Sequence, residues 1–409
     1  MTAQTGSESL RGVAPPVLTL AQLDEDTHGV FRQYRKDHAV VLHESGGYFV
    51  LRFDDIDRLS KDPRVGPTGT SFAETLGVRS GAIFDLFTYG MVSAGGVVHR
   101  RRRTPFSKVL APRTISEMRK SIRRTADDLI DEDYDRGEMD IFGEFASQLP
   151  ARIIADLLGL PRQEIPQFTV LVYEVTKIFS FGLNLDELGK IEDALRQLGD
   201  YVNKAIEERR RRPLDDFLSA FLAAATGAGE LSPQEMISQI LLLIIGSADT
   251  TRVAIVMQVA LLLQHREQWV DICDDPSLVP AAVTEAMRFE PSAAGTSRLA
   301  LENIDVGGAL IPAGRLIVLA MMSAMRDETV YSRPDKFDIH RADQPRLHPI
   351  FGYGAHRCIG EALARAELEE SLSAIIARIP KIHLDVAPKI KGHYGVRRID
   401  SAVRLFWKP

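Results

Sequence analysis

Apolar residues recur at helical spacing over 115–133, 140–158, 185–212, 232–264, 278–289 and 360–378, and each stretch is predicted to be a helix. Strand signals are confined to islands. Residues 40–53 alternate around Ser45-Gly46-Gly47 and predict a β-hairpin. A second apolar-and-turn pattern runs from Arg298 through Gly307-Gly308 and Ile311-Pro312-Ala313-Gly314 to Ala320. No repeat of fixed period appears and no Ser/Gly-rich linker divides the chain. The expected architecture is one mainly α domain over 1–409, with a small β portion near 39–53 and 298–320 and a flexible start over 1–20.

The stretch opening at Ser232-Pro233-Gln234-Glu235 carries a helix start: a Ser N-cap, Pro at the first helical position and Glu at the third. Continued to Gln264 it would span about 48 Å. Its middle is apolar on nearly every face, so it must cross the centre of the molecule. The apolar run 240–248 meets Asp249 after nine residues. That is far short of the ~20 residues a membrane span needs, so a buried helix is expected and no membrane partner. The polar cluster Asp249-Thr250-Thr251-Arg252 within it needs a partner or a task.

Composition narrows the class. With 409 residues, 45% hydrophobic and 26% charged, the chain can bury a large core and is neither disordered nor collagenous. Fifty Lys plus Arg against 56 Asp plus Glu give a net charge of -6, which argues against a nucleic-acid partner. Cys273 and Cys358 stand far apart without CxxC spacing, so neither a disulfide framework nor a zinc ribbon is expected. Residues 1–20 hold no apolar stretch of signal-peptide length, and a reducing cytoplasm is the natural setting.

The densest chemistry lies in Phe351-Gly-Tyr-Gly-Ala-His-Arg-Cys-Ile-Gly360, directly before a predicted helix. A cysteine just ahead of a helix start meets free N–H groups and a dipole that favour its thiolate. Gly354 and Gly360 remove side chains where a large planar group would press on the backbone, and Phe351 is placed to cover the sulfur. These are the parts of a metal site built on one thiolate. The plain alternative is a buried apolar thiol in a glycine-rich turn.

The pattern Phe-x-x-Gly-x-His-x-Cys-x-Gly, with Ala364 beyond it, resembles the haem-thiolate signature of the cytochrome P-450 family. Other stretches resemble the same family in the order its fold requires. Gly246-Ser247-Ala248-Asp249-Thr250-Thr251 resembles its acid-alcohol segment, with Ser247 where glycine is usual. Glu285-Ala-Met-Arg288 resembles its Glu-x-x-Arg pair, to be completed by Lys336 or Arg341. His99 and Arg103 fall at i,i+4 in a basic run, and with Arg298 and His356 they match the family's donors to haem propionates. The resemblance covers most of the chain, from near Val40 to near Arg404, and is closest to soluble bacterial members.

The resemblance implies a P-450-like fold with a long central helix over the haem, and haem b (iron protoporphyrin IX) held by Cys358 as the metal ligand. It implies cofactor contacts from His99, Arg103, Arg298, His356, Phe351, Gly354 and Gly360. The catalytic pair would be Asp249 and Thr250, moving protons during dioxygen activation where the central helix opens locally. The plain alternative is an Asp249–Arg252 ion pair, with the threonines bonding their own helix. The activity implied is monooxygenation, one oxygen atom of O2 entering a C–H bond. Electrons would come from NAD(P)H through a separate ferredoxin and ferredoxin reductase, because no dinucleotide-binding glycine motif is fused to the chain. Arg357, Arg365 and Lys108 would form the docking face for an acidic ferredoxin. Phe84, Phe87, Tyr89, Ile244, Ala248, Ala293 and Ala294 would line the substrate pocket, suited to a small or medium apolar terpenoid, while Arg79 leaves an aromatic or fatty acid open. A peroxide-using or rearranging haem-thiolate enzyme and a haem sensor without turnover are the alternatives.

Overall fold

The computed structural model describes residues 14–180, 182–227 and 230–409. Most of the predicted flexible start lies outside the described residues; the rest of it is ordered, with Val17–Leu18 pairing in parallel to Leu42 and His43.

The central helix is Pro233–Gln264, and its start is the one predicted. Ser232 Oγ accepts from the Glu235 N–H at 3.2 Å while the Glu235 carboxylate accepts from the Ser232 N–H at 2.9 Å. The helix packs against Ala82–Tyr89, Gln148–Leu158, Ile165–Thr176, Leu188–Arg211, Val279–Phe289 and Glu361–Arg378. Surrounded in this way it needs no polar face, and its aliphatic residues from Ile240 to Ile245 are all buried. Among the described residues it is the one helix long and apolar enough to cross a membrane, yet 78% of its most apolar window is buried inside the protein.

The β portion is a seven-stranded sheet in the order Val17–Leu18, Val40–His43, Tyr48–Val50, Leu316–Leu319, Ala293–Ala300, Gly395–Val396, with Val65–Gly66 paired to Ala293–Ala300. The predicted hairpin is its second and third strands, registered Val40↔Val50. A smaller sheet joins Glu138–Asp140 to the chain end through Arg404–Phe406 and His383–Leu384.

The predicted helix over 140–158 is divided. Asp140 ends a strand, a wide π-type turn occupies Ile141–Ala146, and the helix proper is Gln148–Leu158. The Asp140 carboxylate accepts from the N–H groups of Phe142 and Val403, which draws the chain into the sheet before the helix can begin. The Gly96–Val109 helix gave no periodic signal because it carries four arginines and Pro105.

Glu285 and Arg288, on Val279–Phe289, are 1% and 0% exposed and bonded through two N–H···O contacts of 2.7 and 2.8 Å. Arg341 supplies the third group, its Nε lying 3.3 Å from Glu285 Oε2, while Lys336 contributes only its backbone carbonyl. Arg288 also donates to the carbonyls of Met325 and Pro334. Arg288→Ala should cost on the order of 3–5 kcal/mol, because it leaves a buried carboxylate short of its main partner. Ser232→Ala, which removes only a helix cap, should cost about 1 kcal/mol. Denaturant midpoints of the two variants test the difference.

Candidate active site

The cysteine loop is set by backbone bonds before any side chain acts. A tight turn at Pro349–Phe351 leads to Gly352, whose φ of 70° favours glycine, and the Cys358 N–H donates to the Phe351 carbonyl at 2.7 Å. Arg357 Nη1 donates to the Gly352 carbonyl at 2.5 Å, and Arg365 lies 5.2 Å from the Phe351 ring centroid. Glu361 pairs with both arginines. Arg357 and Arg365 therefore brace the loop, and only Lys108 of the expected docking trio is fully exposed.

Gly354 has a different purpose from the one expected. Its φ is 67° and a Cβ there would run into the Ser60 carbonyl, so glycine is needed for the loop to lie against neighbouring backbone. At Gly360 a Cβ would find only Cys358 Sγ, at 3.9 Å, so the space beside the sulfur is open there. Both Gly360 and Phe351 line the cavity onto which Cys358 opens. Protein surrounds the thiol elsewhere, and this burial pushes its pKa up. The Gly360 N–H lowers it, the Glu361 charge raises it, and Arg103 and Arg357 lower it further.

His99, Arg103 and His356 line the cavity, and Arg298 lies near enough to both histidines to act on them. The His99 and His356 rings lie 4.1 Å apart. Burial lowers the His99 pKa to about 4, helped by Arg103, Arg100 and Arg298. Burial lowers His356 to about 3, with His99, Arg298 and Arg103 adding to it. Arg103 Nη2 donates to the Arg357 carbonyl and Arg298 Nη1 to that of Ser297. Neither has a carboxylate within ion-pair reach among the described residues. Two arginines without a carboxylate partner, beside two histidines held neutral by burial, suit an anionic ligand that can accept from all four.

The central helix differs from the expectation. It is helical throughout Pro233–Gln264, without a local opening. Thr250 faces the cavity, but its Oγ1 donates to the Gly246 carbonyl at 2.9 Å, and Ser247 Oγ donates to that of Ile244 at 3.1 Å. Asp249 is 3% exposed, lies outside the cavity wall, pairs with Arg252 and accepts from Ser180 Oγ at 3.0 Å. Arg252 in turn stacks over Tyr173, 4.0 Å from its centroid. The plain alternative for this segment is thus the arrangement present, because an arginine three residues along the same helix reaches the acid first.

Of the expected pocket residues, Ala293 lines the cavity and the others do not. At about 100° per residue, the helix turns Leu243, Gly246, Ser247, Thr250 and Ala254 inward and Ile244 and Ala248 into the surrounding core. Ala294 points to the sheet's own cluster around Leu18 and Phe31. Phe87 packs with Phe72 and Phe179 at 5.2 and 5.6 Å, Phe84 joins the main core, and Tyr89 offers its carbonyl to Gln239. Arg79 is exposed on the surface. Met91, Val92, Leu242, Met287 and Ser292 take these places.

Glu367 is a residue the sequence did not reveal. It lies inside an amphipathic helix, fully buried, lining the cavity beside Thr251 and Ala254, and neither carboxylate oxygen has a hydrogen-bond partner. Burial raises its pKa to about 8. Its position nine residues after the cysteine was its only available signal.

A mainly helical protein with one cysteine opening onto an apolar cavity edged by arginine and histidine has the form of one that can hold an anionic group through sulfur, as its sequence resemblance implies. The cytochrome P450 family model matches residues 273–379. A plant-inducible cytochrome P-450 of Rhizobium radiobacter is 39% identical over 96% of this chain and 93% of its own. Luteothin monooxygenase of Streptomyces thioluteus is 31% identical over 81% of each chain. The crystal structure of a cytochrome P-450 in complex with acyl carrier protein ligated to hexadec-9Z-enoic acid matches with TM-score 0.85 and 26% identity, covering 95% of this chain and 100% of that one. The chain belongs to the cytochrome P-450 family. It is a monooxygenase-type oxidoreductase, and the family's chemistry brings haem, O2 and NAD(P)H-derived electrons.

Glu367 generates a pH prediction. With its folded pKa above the unfolded value, the folded state keeps a proton that the unfolded chain releases, so its contribution is complete below about pH 4.5 and is lost as pH rises towards 8. Glu367→Gln should flatten that segment of the stability–pH curve and remove a protonated-carboxyl infrared band at pH 7. A curve identical to that of the parent would show that Glu367 is ionised in the fold.

Proposed function

We propose that this chain, as a single P-450-like domain, inserts one oxygen atom from O2 into a C–H bond of a small to medium apolar substrate. The observation that carries the proposal is a pair of arginines, Arg103 and Arg298, with no carboxylate partner among the described residues, set with the neutral His99 and His356 near a cysteine that opens onto an apolar cavity. These residues fit haem b. Cys358 would hold the iron through sulfur, His99, Arg103, Arg298 and His356 would take the propionates, and Gly360 leaves clearance for the ring. When bound, haem supplies dioxygen activation and oxidation of the C–H bond.

The chain's own contribution is binding, orientation and proton placement. Met91, Leu242, Leu243, Ala254 and Met287 give an apolar wall that excludes water and seats a hydrocarbon. Glu367 holds a proton at the cavity, and the Thr250 hydroxyl is placed to relay one if it turns from the Gly246 carbonyl. Asp249 would take part only by releasing Arg252 and Ser180. The fatty acyl group in the neighbour's complex agrees with this lining and keeps acyl substrates beside terpenoids and aromatic acids. Electrons would arrive from a cytoplasmic ferredoxin and its reductase. The ion-paired state of Asp249 favours one second reading, a peroxide-using enzyme; product formed with peroxide and none with a ferredoxin system would select it.

The reduced protein with carbon monoxide should show a Soret band shifted far to the red, and Cys358→Ser should abolish it. A band at the position of histidine-ligated haem would overturn the assignment. Arg103→Ala and Arg298→Ala should each speed haem loss on the order of tenfold, the worth of one charge-assisted hydrogen bond, while keeping the red-shifted band. Stopped-flow transfer of haem to an excess of apo-myoglobin measures this.

A further inference from the structure

The Ala82–Tyr89 helix ends at Gly90, and the chain beyond it brings Met91 and Val92 to the cavity wall. The last turn of a helix leaves carbonyls without partners, and the irregular residues after it must also find partners for their backbone polar groups. Here side chains from two helices supply them. The Gln239 amide, on the central helix and 0% exposed, accepts from the Met91 N–H at 2.8 Å through Oε1. Its Nε2 donates to the Tyr89 carbonyl at 2.7 Å and to the Glu235 carbonyl at 2.8 Å, so the amide is fully used. Arg102 Nη1 donates to the carbonyls of Thr88 and Gly90 at 3.0 and 3.1 Å, while its Nε donates to Glu235 Oε1 at 2.9 Å. Arg101 holds the same carboxylate. Gly90 completes the fit, because a Cβ there would run into the Leu86 carbonyl and lie 2.7 Å from Leu242 Cδ1.

We propose that Gln239, with Arg102, is a positioning residue that sets which ligands the cavity accepts, by gripping the backbone of 88–91 and so fixing Met91 and Val92 at the cavity wall. This rests on the haem-thiolate reading above. Gln239 itself is not part of the cavity wall, so its effect must pass through the segment it holds. The wall is thereby formed before substrate enters, which limits selectivity to shapes that fit it without loop rearrangement.

The test uses the full-length, haem-loaded protein and its Gln239→Leu and Gln239→Glu variants. The reduced carbon monoxide spectrum reports on the haem-thiolate reading by itself; if the parent lacks the red-shifted band, that reading fails and not the grip. With the band present, amide exchange at Met91 and absorbance titrations with imidazole and phenylimidazole test the grip. In Gln239→Leu the Met91 amide should exchange roughly tenfold faster or more, because a buried donor loses its acceptor. The affinity ratio of the two azoles should shift on the order of tenfold. Gln239→Glu keeps an acceptor for Met91 but loses the donor to Tyr89, and its azole ratio is read in the same way should the leucine variant fail to fold. An unchanged azole ratio in the variants that keep the band overturns the proposal. A shifted ratio with Met91 exchange unchanged in Gln239→Leu also overturns it, since the effect would not pass through 88–91.

Discussion

The cysteine loop holds only two short 3-10 turns, Pro349–Phe351 and Gly354–His356, and its position depends on the Val279–Phe289 helix and the buried charge network that helix carries. Arg288 binds the carbonyls of Met325, Pro334 and Lys336, while Glu285 takes the Asp338 N–H, Arg341 and the Gln344 amide. The same helix reaches the loop directly. The Thr284 carbonyl meets His348 Nε2 at 3.1 Å, and the Thr284 hydroxyl accepts from Arg365 at 3.2 Å. An ion pair with no exposure adds little net stability against an apolar replacement, but it permits few alternative arrangements of the chain around it. That restriction places Cys358 beneath the central helix.

The cavity reverses the usual economy of a core. The buried Glu285–Arg288 pair is bonded on both sides; here His99, Arg298 and His356 are desolvated near one another, and both carboxylate oxygens of Glu367 are buried without a partner. Polar groups desolvated without partners destabilise the fold until a ligand that can bond them arrives. Haem binding and folding are therefore coupled: the propionates would neutralise the rim, and the protein without haem should be the less stable form.

Cys358 was legible because its surroundings are local, a turn with a fixed order of glycine, histidine and cysteine. The helix start at Ser232 was legible for the same reason. The substrate wall was not. Ile244 and Ala248 differ from Leu243 and Ser247 by one residue each, and no periodicity distinguishes faces on a helix that is apolar all round. Phe84 and Phe87 had the right composition for a pocket, but aromatic partners from distant segments claimed Phe87 and the main core claimed Phe84.

Asp249 and Thr250 show where the two levels separate. The identity of an acid beside a hydroxyl in an apolar helix, and the cysteine pattern downstream of it, were determined by the sequence alone. Which carboxylate reaches the cavity was decided by tertiary structure: Ser180, from a distant segment, joins the local partner Arg252 in holding Asp249 away, while Glu367, which the sequence did not single out, is turned inward without a partner. The physical reason is that local bonding preferences are written along the chain, whereas burial and competition for a partner are settled only when distant segments meet.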